Sequence, residues 1–259
     1  MSNKICLIDG DILLYSTCYS NTNIDDFYYV KHGFLMTMHN ILGSNGTTEY
    51  VGFLTSKNNF RKELKLDEEY KGNRKKELPK WFHELRSWIT EELGFVTIDQ
   101  LEADDCISIM SRYKSEFVIV STDKDFYQLE ANHFNPNTLA FRTVEKEEAK
   151  LNLWIQVLMG DSTDNISGIR GIGKVKAHKL LAGSHEDYKN VVLSKYIEVY
   201  GEYKGMEKFY KTYVLVKLLE NHDNLIPKDI CIHQMDYKVP IESIIGYPSL
   251  NDIIDGYRE

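Results

Sequence analysis

The sequence predicts an α/β protein in which helices flank a central, mostly parallel sheet. Three observations carry this. The apolar runs KICLID (4–9), EYVGFL (49–54) and FVIV (117–120) read as buried strands. Between them lies helical periodicity, plainest in Trp81, Phe82, Leu85, Trp88, Ile89 and Leu93, which recur at spacings of three and four. The alternation of the two is that of βαβ units, which line up strand ends along one edge of a parallel sheet.

The first strand ends in Asp9, followed by Gly10 and Asp11 and an apolar helix start. In open α/β sheets that end is where ligands bind, although a strand-end aspartate also serves simply as a helix N-cap. Residues 21–46 read as helix and then an Asn/Gly/Ser loop. The second strand ends in Thr55 and Ser56. The following stretch from Lys57 to Lys80 holds nine Lys/Arg against five Asp/Glu and too few apolar residues to bury a face. It reads as a solvated or mobile element, or, through Tyr70-Lys71-Gly72-Asn73-Arg74-Lys75-Lys76, as one past which a nucleic-acid strand threads. An amphipathic helix then runs from Pro79 to Leu93, and a short strand from Phe95 to Ile98.

Glu102, Asp104 and Asp105 crowd the start of the next helix, where the macrodipole favours acids but three carboxylates repel unless something positive lies among them. The strand 117–120 leads into Asp123 and Asp125. Asp161 and Asp164, three apart, would share a side if they fell on a helical turn, which suits a divalent cation. Gly168, Gly171 and Gly173 then allow a tight turn ahead of a helix carrying Lys174, Lys176, His178 and Lys179. Such a turn offers free N–H groups and a positive dipole end to a phosphate; its bland counterpart is an acidic loop beside an ordinary glycine turn. The tyrosines between 188 and 221 read as core packing, and the Pro-containing tail beyond Ile226 as short segments laid on the body.

The 259 residues, 42% of them hydrophobic, suffice for one large domain with its own core. No apolar run approaches the ~18 residues that span a bilayer and no charged-then-apolar leader opens the chain, so a cytoplasmic protein, a monomer, is expected. Four cysteines without a C-x-x-C pair signal neither zinc nor disulfides, and eight histidines show no ligand spacing, so any metal should be a hard one held by oxygen. The net charge of −8 opposes general polyanion binding, but the cations of 57–80 and of 170–180 form two basic patches on an acidic body.

With these residues assembled, the chain resembles the 5′ nuclease family of flap endonucleases and 5′→3′ exonucleases, in its compact stand-alone phage-type form. The resemblance runs from about Lys4 to Leu181 and rests on LIDGD, YKGNR, LEADD, STDKDFYQL and GDSTDNISGIRGIG. It implies one nuclease domain over 1–259. Residues 1–158 would form a PIN-like α/β core with a helical arch at about 57–93, residues 159–220 a helix-hairpin-helix type DNA-binding subdomain, and residues 221–259 a tail on the body. It also implies two Mg²⁺ ions, replaceable by Mn²⁺. Asp9, Glu102, Asp104 and Asp105 would lie on one side of the metal cluster, and Asp123, Asp125, Asp161 and Asp164 on the other. Lys71 and Arg74 would contact the scissile phosphate. Tyr70, Arg170, Gly171, Gly173, Lys174 and Lys176 would meet DNA, with K⁺ at the glycine turn. The implied substrates are 5′ flaps, gapped or nicked duplex, 5′ ends and RNA–DNA hybrid, with no membrane partner, in the host cytoplasm if the phage likeness holds. In many relatives the second strand ends in a metal-cluster aspartate, and here Thr55-Ser56 stand in that place.

Two other readings remain open. A non-catalytic DNA-binding protein has no use for eight acids at such boundaries, and a phosphatase built on Asp9 and Asp11 leaves YKGNR and GIRGIG unexplained. Phosphodiester hydrolysis needs a nucleophile from water near neutral pH and an answer to charge on the leaving oxygen, and two divalent ions ~3.5–4 Å apart supply both.

Overall fold

A computed structural model describes residues 4–64, 70–73, 77–114, 116–184, 187–238 and 241. The chain opens with β1 (Ile5–Asp9), α1 (Gly10–Ser20), α2 (Phe27–Asn45), β2 (Glu49–Leu54), α3 (Phe60–Glu63), α4 (Phe82–Leu93), β3 (Val96–Thr97), α5 (Ala103–Ser111) and β4 (Phe117–Val120). After a 3₁₀ turn (Lys124–Gln128) come β5 (Ala131–Asn135), β6 (Ala140–Val144) and α6 (Lys146–Met159). A small hairpin, β7 (Gly160–Asp161) and β8 (Ile166–Ser167), precedes α7 (Lys174–Leu181), α8 (Tyr188–Tyr200) and α9 (Glu202–Val216). The tail adds a second 3₁₀ turn (Pro227–Asp229) and β9 (His233–Gln234).

Among the described residues the main sheet has seven strands in the order β3-β2-β1-β4-β5-β6, with β9 paired to β2. All pairings along β3-β2-β1-β4-β5 are parallel, and β6 and β9 join antiparallel. The expected fold class is therefore the observed one. The three strands read from the sequence are buried on both faces because alternate side chains enter two different cores. Cys6, Ile8, Tyr50, Leu54, Val118 and Val120 pack under α1, α2 and α4. Ile5, Leu7, Val51, Phe53, Phe117 and Ile119 pack against α5 and the segment after α9.

Residues 21–46 are more helical than expected. Helix α2 continues to Asn45 because Ile41, Leu42 and Asn45 face the core, and Gly46 closes it in the left-handed conformation (φ 66°). Leu85, Ile89 and Leu93 of α4 are buried under the sheet, so α4 packs on the body. Helix α6 likewise shares a third core with α7, α8 and α9, built on Ile155, Leu158, Ala177, Tyr196 and Phe209. The helical layer thus includes α6, from residue 146 onward. Tyr203 (88% exposed) and Tyr210 (46%) fall outside that core, unlike Tyr196 (0%). The β5–β6 hairpin was not anticipated, although Asn135-Pro136-Asn137 is a turn signal.

Gly52 in the middle of β2 shows how tightly the sheet is covered. A Cβ there would lie 2.4 Å from the ring of Phe95, which is itself 1% exposed. Overpacking of this kind costs about 1–3 kcal/mol. Gly52→Ala is therefore expected to lower the thermal midpoint by that equivalent, and an unchanged midpoint would show that the Phe95 ring can retreat.

Candidate active site

The strand order reverses between β1 and β4, and in open α/β sheets the crevice outside such a switch point is where ligands bind. Asp9 ends β1 there. Its Oδ1 caps α1 by accepting from the Ile12 N–H (3.4 Å), and its Oδ2 accepts from Ser121 Oγ (2.8 Å) just beyond β4. Asp123 caps the 3₁₀ turn through the Asp125 N–H (2.9 Å), and Asp125 accepts from the Gln156 side chain. Both acids follow the end of β4 because its apolar run ends at Val120 and the chain turns at once.

Glu102, Asp104 and Asp105 gather at the start of α5. Each offers one carboxylate oxygen, all within 4.8 Å of one another. The positive group that such crowding needs is Arg61 of α3, 2% exposed, whose guanidinium bonds Glu102 (3.1 Å) and both oxygens of Asp105. Lys71 supplies a second cation: its ammonium bonds Glu102 and lies 3.7 Å from Asp164, and its backbone N–H donates to the Asp164 carbonyl (2.9 Å). Lys71 itself holds a left-handed backbone (φ 58°), a conformation that costs a non-glycine residue about 1–2 kcal/mol and that clusters at functional sites.

Asp161 and Asp164 do share a side, but on the β7–β8 hairpin and not on a helical turn. Asp161 Oδ1 accepts from the Thr163 N–H (2.7 Å), and Asn165 turns the chain with φ 58°. Asp104, Asp125, Asp161 and Asp164 line one cavity with Tyr70 and Gln156, so both halves of the expected cluster meet.

Burial and mutual repulsion set the proton affinities. Burial, reinforced by Asp11, pushes Asp9 up to about 7; burial, reinforced by Asp123, Asp161 and Asp164, does the same to Asp125. Asp104 is raised well above the carboxylate range by burial, Glu102 and Asp105, and Asp123 is raised by burial with Asp164 and Asp161. Glu102 is the exception: burial is outweighed by Lys71 and Arg61, and its carboxyl is held low. An all-oxygen set of carboxylates that resist ionising beside one another fits a hard divalent cation, whose ligand oxygens lie at about 2.0–2.6 Å. Glu102, Asp104 and Asp105 offer oxygens close enough together to share one such ion, and Asp125, Asp161 and Asp164 line the same cavity as Asp104.

Comparison with known proteins agrees with this chemistry. Residues 4–152 match the family described as 5′-3′ exonuclease, N-terminal resolvase-like domain. The chain belongs to the 5′–3′ exonuclease family. A 5′-3′ exonuclease of Buchnera aphidicola subsp. Schizaphis graminum is 32% identical over 211 residues, 72% of each chain. DNA polymerase I of Bacillus subtilis is 27% identical over 264 residues, which cover 91% of this chain and 29% of the polymerase, so this exonuclease chain corresponds to under a third of that relative. In fold it is similar to the bacteriophage T5 flap endonuclease, solved with DNA and metal ions (TM-score 0.65, 19% identity, 83% of this chain and 89% of that one). It is also similar to the catalytic core of Rad2 in complex with DNA substrate (TM-score 0.55, 13% identity, 98% and 92%).

The structure gives the other expected site residues of this exonuclease the following places. Tyr70 is 7% exposed, and its hydroxyl donates to Glu102 (2.9 Å) with Asp164 3.3 Å away. Arg74 lies outside the described residues. Ser56 turns away from the cluster toward Asp99 (3.5 Å), whereas Thr55 faces it, its Oγ1 accepting from the Ala103 N–H (3.1 Å) and its N–H donating to Asp11 (3.0 Å). Asp11, with Arg86 3.6 Å from its other oxygen, thus brings a carboxylate beside the strand end that lacks one. The glycine turn forms as expected: Gly171 is left-handed (φ 80°), and a Cβ on Gly168 would strike the Met159 backbone at 2.1 Å. Gly173 sits at the N-cap position just before α7, whose first turn has no side-chain cap; Arg170 and Lys174 are exposed, while Lys176 is tied to the Gly171 carbonyl (2.8 Å). No described helix is long and apolar enough to cross a membrane.

Nothing in the sequence singles out Arg61, Ser121, Gln128 or Gln156, all of which hold site carboxylates or their partners. The carboxylates they hold carry a pH dependence. Unfolded carboxylates ionise near ~3.9, so between about pH 4 and 7 the folded chain, with Asp9 and Asp125 at about 7, binds more protons than the unfolded one. Stability drawn from these two groups is therefore present at low pH and lost as pH rises through that window. A chelated sample is expected to melt lower at pH 8 than at pH 5, and added Mg²⁺ or Mn²⁺ to raise the midpoint more at pH 8. Equal increments at the two pH values would mean that the ion binds elsewhere.

Proposed function

We propose that this chain is a divalent-metal-dependent, structure-selective 5′ nuclease that hydrolyses phosphodiesters at DNA 5′ flaps and 5′ ends, and removes RNA primers from RNA–DNA hybrids. The observation that carries the reading is the convergence of Asp9, Glu102, Asp104, Asp123, Asp125, Asp161 and Asp164 on one edge of the sheet, with Lys71 between Glu102 and Asp164. The proposed ions are two Mg²⁺, with Mn²⁺ able to replace them; when bound they would supply a nucleophile from water near neutral pH and charge against the leaving oxygen. K⁺ at the glycine turn would share the Gly171 carbonyl with Lys176. Cytoplasmic action as a monomer, in the manner of a phage enzyme, completes the proposal.

The chain's own residues divide the work. Glu102, held ionised by Arg61 and Lys71, anchors one side of the cluster, and Asp125, oriented by Gln156, anchors the other. Lys71, fixed by its backbone on Asp164, presents its ammonium where an incoming phosphate would meet the carboxylates, and would stabilise charge in the transition state. The uncapped N–H groups at the start of α7, beside Arg170 and Lys174, would hold a duplex phosphate at a distance from the chemistry. A phosphatase reading built on the Asp9–Asp11 pair leaves the cavity lined by Asp104, Asp125, Asp161 and Asp164 without a use.

A 5′-flap duplex labelled at either end tests the proposal. Cleavage should require Mg²⁺ or Mn²⁺ and vanish in EDTA, and Asp123→Asn or Asp164→Asn should remove turnover while sparing DNA binding. Activity that persists in EDTA would sink the metal mechanism. Lys71→Ala should cut the single-turnover rate by ~10² or more with little change in duplex affinity. Lys174→Ala should do the reverse, weakening binding and flattening its log–log salt dependence by ~0.9. Identical behaviour of the two variants would refute the division of labour.

A further inference from the structure

We propose that Arg61 is a positioning residue of the acidic site and that Asp105 is its anchor, not a ligand of the ion. The inference rests on the nuclease reading and decides which carboxylates are free to serve it. Arg61 uses every nitrogen of its guanidinium. Nε donates to the Leu215 carbonyl (3.1 Å); one terminal nitrogen donates to Glu102 Oε2 (3.1 Å) and Asp105 Oδ2; the other donates to Asp105 Oδ1 (2.9 Å) and the Lys217 carbonyl (3.0 Å). A planar fork of five fixed donors matches this set of acceptors, which a point-like ammonium could not span.

Asp105 is 0% exposed, and its Oδ1 also accepts from the Leu219 N–H (3.0 Å), so both of its oxygens face built-in donors. Asp104 differs: one oxygen rests on the Asp105 N–H (2.7 Å), and the side chain lines the cavity with Asp125, Asp161 and Asp164. Of the acids at the start of α5, Asp105 is therefore spent on the fold, while Asp104 lines the cavity.

The same contacts tie the site to the helical layer. Leu215 to Leu219 run from the end of α9 back to the sheet, and their peptide groups are held alternately from two sides. Arg61 takes the carbonyls of Leu215 and Lys217. The Gln128 side chain takes the Val216 carbonyl (3.1 Å) and the Leu218 N–H (3.0 Å). Gln128 also donates to Gln156 (3.2 Å), which in turn donates to Asp125. A single short segment thus fixes the guanidinium that holds Glu102 and the amide chain that reaches Asp125, and it lies where the DNA-binding helices rejoin the sheet.

The test compares wild type, Arg61→Lys, Asp105→Asn and the double variant. Folding is checked by circular dichroism. Mn²⁺ binding is read from the resonance signal of the free ion, 5′-flap affinity is measured in EDTA, and cleavage is followed under single turnover. Each single variant should keep flap affinity and the number of Mn²⁺ bound, while weakening Mn²⁺ affinity and slowing cleavage by about tenfold or more. The double variant should be no worse than either single one, because the two residues act as one unit. Losses that multiply in the double variant would show that Asp105 meets the ion independently of Arg61 and would overturn the proposal, as would wild-type behaviour of a folded Arg61→Lys. Should Arg61→Lys not fold, Asp105→Asn decides alone: loss of one bound Mn²⁺ refutes the anchor role, and unchanged stoichiometry supports it. A wild type that neither binds Mn²⁺ nor cleaves the flap would defeat the nuclease reading itself, which keeps the two failures apart.

Discussion

Repulsion between like charges at the C-terminal edge of the sheet is the constraint to which the rest of the molecule answers. Two unit charges 4 Å apart near a protein surface interact by about 4 kcal/mol, and acids from four separate segments meet at this edge. Hydrogen-bond donors from Ser121, Thr55 and Gln156 relieve part of it. Two inserted cations, Arg61 and Lys71, relieve more, and the raised proton affinities of Asp9, Asp104, Asp123 and Asp125 mark what is left. A fold that accepts such crowding is suited to a cation arriving from outside, and removing one inserted charge from so buried a set would leave its partners uncompensated.

The parts that were legible in the sequence are those written locally. KICLID, EYVGFL and FVIV are strands because their apolar residues are contiguous, and Asp9 and Asp123 take their places because each immediately follows such a run. The glycine turn was legible because a left-handed residue and a backbone crossing each demand glycine, at Gly171 and Gly168. What stayed hidden depends on distant partners. Arg61 sits in a run of cations that composition marks as solvated, yet its contacts lie 41, 44, 154 and 156 residues away. Tyr70 stands in sequence among basic neighbours, whereas its hydroxyl reaches acids 32 and 94 residues further on. The short spacing of Asp161 and Asp164 fits a helix and a hairpin equally, and only Asn165 and the pairing of Gly160 with Ser167 choose between them.

The end of β2 shows one position answered by another. Where the family resemblance leads one to expect an aspartate, Thr55 offers an N–H and a hydroxyl, and the N–H fixes Asp11 from the first turn of α1. Asp11 lies near enough to Asp9 to raise that residue's proton affinity, so a carboxylate that β2 lacks is brought to this edge by a neighbouring element. Charge at the site is thus a property of the edge as a whole, and a residue-by-residue correspondence with relatives undercounts it.

The outer edge of β2 is closed in two halves: β3 pairs with Phe53 and Leu54, and β9 with Glu49 and Tyr50. His233 of β9 fills the space above Gly94, and Tyr50 ties itself to the Leu93 carbonyl (2.8 Å) beside it. The first half is assembled from chain that leaves the ribosome soon after β2. The second waits for a strand whose contact with Glu49 spans 185 residues, which at a synthesis rate of about 5–20 residues per second means a delay of roughly 10–40 s. Over that interval the nascent protein carries a half-open sheet edge, the kind that recruits strands from other chains. The speed of translation from β2 to β9, rather than the stability of the finished sheet, therefore governs how long this protein is exposed to misassembly.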